Sequence, residues 1–112
     1  MIENWNDAAD DAYSYLMEKG RTYDTKKTMA VIDLMSTHVN ISQDQLLGTI
    51  RKPDFVATVL SLVTMAIHRK GAVPPLPLGW YGRDKVLGHY STNPKFAEAW
   101  RAKRRLATLS NK

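Results

Sequence analysis

One stretch, Phe55-Val56-Ala57-Thr58-Val59-Leu60-Ser61-Leu62-Val63-Thr64-Met65-Ala66-Ile67, limits this chain more than any other. Its apolar residues fall on nearly every side of a helical wheel, and its polar ones are only Ser and Thr. A helix that is apolar all round is a buried one. Such a run makes a helix of roughly 20 Å, too short for the ~20 residues that a bilayer span needs. Pro53-Asp54 supplies an entry and Gly71 a stop, while Arg69 and Lys70 stand at the negative end of the helix dipole. The run also exceeds ordinary strand length. A buried central helix over residues 55–69 is therefore expected.

A chain of 112 residues is large enough to bury one core without disulfides or metals, so a single domain over 1–112 is expected. A hydrophobic share of 44% and a charged share of 24% are those of a globular protein rather than a disordered one. There is no cysteine, which excludes a disulfide framework or thiolate metal site and suits a reducing cytoplasm. The acidic, amphipathic N-terminus argues against a signal or transit peptide.

The net charge of +5 is unevenly placed: residues 1–24 carry −4, residues 25–90 carry +4 and residues 91–112 carry +5. A chain running from acid to base suits a polyanionic partner near its C-terminal half. A solvated surface with a basic tail is the alternative reading of the same charges.

Asn4 to Lys19 has apolar residues at helical spacing, with Asp7, Asp10 and Asp11 near the positive end of the dipole and Gly20 as a stop. A second helix is expected from an Asp24-Thr25 cap to about His38, with Met29, Ile32, Met35 and Val39 along one face. Ser42 and Gln45 form an S-x-x-Q capping box, Ile41 and Leu46 stand where a hydrophobic staple closes, and Gly48 is read as the terminator of a short third helix. Residues 72–82 are expected to form a Pro-rich loop, because three prolines in four residues forbid a regular helix. Asp84 is read as the cap of a short helix from Lys85 to Tyr90. Asn93-Pro94, an N-cap followed by an N1 proline, opens a basic last helix over 94–109 with Phe96, Ala97, Trp100 and Ala107 on its apolar side. The expected fold class is thus all-α, with about five to six helices around the central one.

Val39-Asn40-Ile41-Ser42-Gln43-Asp44-Gln45-Leu46-Leu47-Gly48, then Arg51-Lys52, then Phe55-Val56 form an ordered series. At a matching distance follows Gly82-Arg83-Asp84-Lys85-Val86-Leu87. Over residues 31–90 this series resembles, as a divergent and partial match, the C-terminal helix-turn-helix domain of the bacterial replication initiator DnaA. The resemblance implies double-stranded DNA as partner. It puts Arg51 and Lys52 against the backbone or minor groove, and Arg83, Asp84 and Lys85 at the start of a major-groove recognition helix. Arg101, Lys103, Arg104 and Arg105 lie outside the matched region and would add phosphate contacts.

The leading expectation is a small regulatory DNA-binding protein. The alternative is a non-catalytic protein-binding module, a helical inhibitor or adaptor, anchored by Leu76, Trp80 and Tyr81. No nucleophile–base pair, carboxylate dyad or metal-spaced cluster stands out, so neither enzyme activity nor a cofactor or metal is expected. No membrane association is expected.

Overall fold

The computed structural model of the chain describes residues 4–19, 25–50, 53–68, 73–76, 78–84 and 86–110. Helix α1 runs Trp5–Lys19, started by Asn4, whose Oδ1 accepts from the N–H groups of Asn6 (2.9 Å) and Asp7 (3.3 Å). That is N-cap geometry, with the side chain serving N2 and N3. Ala8, Ala9, Ala12 and Leu16 form its buried face. Helix α2, Thr25–Thr37, buries Met29, Val31, Ile32 and Met35. The Asp24 part of its expected cap lies outside the described residues.

Strand β1, Asn40–Ser42, leads directly into helix α3, Gln43–Ile50. Ser42 Oγ accepts from the Gln45 N–H at 3.0 Å, the forward half of the expected capping box, and Ile41 and Leu46 are both fully buried. Gly48 does not end α3, which continues to Ile50; one glycine costs a helix only about 1 kcal/mol, and the partly buried Leu47 packs on the core beside it. Ser42→Ala should cost about 1 kcal/mol in a urea melt, through the loss of this cap.

Helix α4, Pro53–His68, is the expected central helix, shifted by two residues at its start. Val56, Val59, Leu60 and Val63 are buried, packing among α1, α2 and α3. It is not covered on every side: Ala57 and Ser61 are exposed, and Met65 is 54% exposed. An apolar wheel predicts cover all round, and here one face lacks it among the described residues.

The all-α expectation is overturned. Strands β2, Tyr81–Asp84, and β3, His89–Thr92, form a hairpin, and β1 pairs with β3, giving an antiparallel sheet of order β1-β3-β2. The helix expected from Lys85 to Tyr90 is therefore turn and strand. Asp84 Oδ1 does accept from the N–H groups of Val86 and Leu87, both at 3.0 Å. That pattern serves an Asx-type turn as well as it serves a helix cap. Gly88 settles the matter locally: its φ of 69° is left-handed and closes the hairpin. Tyr90 and Thr92 then alternate inward, the period of a strand.

Helix α5, Pro94–Ser110, begins as expected: Asn93 Oδ1 accepts from the Lys95 N–H at 2.9 Å. Phe96, Ala97, Ala99 and Trp100 are buried. α1 and α5 flank the remaining elements, α1 packing on α4 and both packing on each other. Read from α2, the order is helix, strand, helix, helix, hairpin, with the first strand on the hairpin's second strand. No described helix is long and apolar enough to cross a membrane.

Candidate functional site

The hairpin is held rigidly to the start of α3. The Gln43 N–H, the first of that helix, donates to the Gly88 carbonyl at 2.7 Å. Arg83 Nη2 donates to Gln43 Oε1 at 3.0 Å, and its guanidinium lies 5.2 Å from the centroid of the Tyr90 ring. His89 Nδ1 and Asn40 Oδ1 are 3.1 Å apart across β1 and β3. These contacts fix the hairpin base and leave its tip in solvent: Val86 is 93% and Leu87 68% exposed. Two exposed branched apolar residues at a turn have no packing role. Their signal in the sequence was hidden by reading them as one turn of a helix.

Arg83 and Asp84 are exposed on β2, so they do not open a recognition helix, as the match over 31–90 implies. Lys85 lies outside the described residues, as do Arg51 and Lys52. The sequence places that last pair in the link between α3 and α4.

Three of the four C-terminal cations contact α1 or α2. Arg104 meets the Asp33 carboxylate with Nε at 3.1 Å and Nη2 at 3.3 Å, a forked pair. Trp100 Nε1 donates to the same Asp33 Oδ1 at 2.8 Å, so one carboxylate on α2 fastens two residues of α5. Arg101 Nη1 donates to the Ser36 carbonyl at 2.6 Å. Lys103 Nζ pairs with Asp10 at 3.1 Å and lies 5.4 Å from the Tyr13 ring centroid. Arg105 is exposed. One carboxylate of α1, Asp10, and one of α2, Asp33, thus pair with cations of α5. Asp33→Ala should destabilise the protein by about 1–3 kcal/mol, since it strips a nearly buried indole N–H of its acceptor. Arg105→Ala should stay within about 0.5 kcal/mol; paired urea melts compare the two.

Of the three residues in the alternative reading, Trp80 is fully buried. Its Nε1–H donates to Thr64 Oγ1 at 3.1 Å, and its ring packs 5.3 Å from Phe96. Gly79 permits this entry, because a Cβ there would strike the Pro74 carbonyl oxygen. Asn93 secures the same turn, donating from Nδ2 to the Gly79 carbonyl (3.1 Å) and from its N–H to the Trp80 carbonyl (2.8 Å). Leu76 and Tyr81, by contrast, reach the surface.

Both line a groove of about 810 Å³ between α4, the Pro-rich segment and β2. Its walls are the uncovered face of α4 (Ala57, Ser61, Met65), residues 73–76, and Tyr81, Gly82 and Arg83. Burial holds the Tyr81 phenol above its ordinary pKa, with Tyr90 adding to the shift and Arg83 offsetting part of it. The phenol therefore stays protonated at neutral pH and can donate a hydrogen bond. Burial also depresses the His68 imidazole at the C-terminal end of α4. Among the described residues no cluster of three metal-ligating side chains occurs. No family model, no curated protein and no solved structure matches this chain.

Proposed function

We propose that the chain binds duplex DNA through the α3–α4 pair and the β2–β3 wing. The observation that supports this reading is the topology: from α2 on, helix, strand, helix, helix and hairpin, with β1 on the hairpin's second strand, an order like that of a winged helix-turn-helix, and the hairpin tip in solvent. Fold order alone assigns no function, and the charges supply the second support. Residues 40–92 hold six basic against three acidic residues, and in the sequence the basic ones fall between α3 and α4, just after α4 and in or beside β2. The cations of α5 are mostly engaged with α1 and α2. On this reading the phosphates are met by the cations of residues 40–92 rather than by those of α5.

The same structure argues against strong sequence reading. The outward face of α4 presents Ala57, Ser61 and Met65, with no cation to reach a guanine edge. Contacts would fall on phosphates, which position a protein without selecting a sequence.

Binding measured against salt tests this. Each phosphate neutralised contributes about −0.9 to the slope of log K against log salt. Arg83→Ala with Lys85→Ala should flatten that slope by about 2 at most, equally on any duplex. Arg105→Ala should leave it nearly unchanged. Absence of salt-dependent binding, or a wild-type slope in the wing variant, would remove the wing from the interface.

A further inference from the structure

The groove beside α4 has a property that its apolar lining does not announce. Its β2 wall is formed by three consecutive residues, Tyr81, Gly82 and Arg83. Residues on one face of a strand alternate, so three in a row mean that the groove follows the strand's edge. The hydrogen-bond register shows what that edge offers. The Asn93 N–H donates to the Trp80 carbonyl, and β2 pairs with β3 as Tyr81↔Thr92, Gly82↔Ser91, Arg83↔Tyr90 and Asp84↔His89. In an antiparallel ladder alternate residues turn their backbone groups toward the partner. Trp80, Gly82 and Asp84 thus face β3, and Tyr81 and Arg83 turn their N–H and C=O groups away from it. Since β2 is the outer strand of the sheet, these groups have no strand beside them among the described residues.

We propose that this groove takes an extended peptide segment from a partner protein, added as a fourth strand on β2, apolar in its side chains and carrying a carboxylate opposite Arg83. The backbone groups of Tyr81 and Arg83 require an extended main chain, because a helix has no free groups along its side to pair with them. Met65 and Leu76, both exposed, provide apolar contacts for alternate side chains. Arg83 is the one charged residue among the described residues lining the groove, which sets the complementary sign. The groove shares Arg83 and the outward face of α4 with the proposed DNA interface, so peptide binding is measured with no DNA present.

The test uses the whole chain as bait for a random dodecapeptide display library, followed by synthesis of the enriched peptides. The expected result is enrichment of segments alternating apolar residues, with an acidic one among them. Binding of such a peptide should slow hydrogen exchange of the Tyr81 and Arg83 amides in solution NMR. Arg83→Ala keeps the N–H and removes the charge, and should weaken the peptide about threefold. Arg83→Pro also removes the outward N–H while leaving the β2–β3 ladder intact, and should weaken it about tenfold more. Tyr90 and Gly82 amide signals at wild-type positions verify that this variant keeps its hairpin. No enrichment, or bound peptides that leave both amides unprotected, would overturn the proposal. So would protection of those amides by self-association at high protein concentration with no peptide present.

Discussion

Val63→Asp should leave the chain unfolded at room temperature. Val63 is fully buried at the middle of the inward face of α4, in the same cluster as Leu16, Ile32 and Trp80. A carboxylate there has no partner, and leaving a buried charge unpaired costs several kcal/mol even after local relaxation. Domains of this size hold only about 5–15 kcal/mol in total. Val63→Ala removes two methyl groups and should cost less, near the lower end of the about 2–5 kcal/mol of large-to-small core changes. Leu62, one residue earlier, is only partly buried, so Leu62→Ala should fall below that range. Far-UV circular dichroism and urea melts rank the three. A cooperative wild-type melt for Val63→Asp would mean that the inward face of α4 has been misassigned.

The contrast between neighbours on α4 shows how far the sequence could be read. Periodicity located α1, α2, α4 and α5 within about two residues, because each has an apolar stripe. Asn4, Ser42 and Asn93 all make the capping bonds their identities suggest. The strands were illegible for a physical reason. They are only three or four residues long, and their order in space depends on pairing between residues 40–42 and 89–92, far apart in the chain. Asp84 misled because its side chain serves a turn with the same bonds that it would give a helix.

The candidate site was less legible than the fold. Arg101, Lys103 and Arg104 look like a free basic cluster only while Asp10, Asp33 and the Ser36 carbonyl are out of view. Their partners lie more than sixty positions earlier. The exposed face of α4 was hidden by its own composition. Ala57, Ser61 and Met65 pass equally for core or for groove, and only the path of the Pro-rich segment decides.

Trp80→Ala should be the most damaging change outside the helices, costing about 3–5 kcal/mol. The ring is fully buried between α4 and α5, 5.3 Å from Phe96 and 4.6 Å from Tyr81, so its removal opens a cavity where three elements meet. Its hydrogen bond separates from its bulk. Thr64 Oγ1 donates to the Leu60 carbonyl at 2.8 Å and accepts from the indole at 3.1 Å, so the hydroxyl uses both roles. Thr64→Val keeps the shape and strands the indole N–H, which should cost about 1–3 kcal/mol. In Trp80→Phe with Thr64→Val neither unpaired group remains, so the double variant should be more stable than the sum of its singles by about 1 kcal/mol. Urea denaturation of the four proteins gives that coupling directly. Additive single costs would mean that no bond joins α4 to the turn before β2. Trp80 would then act by volume alone, and the groove would be held in shape by Gly79 and Asn93 without it.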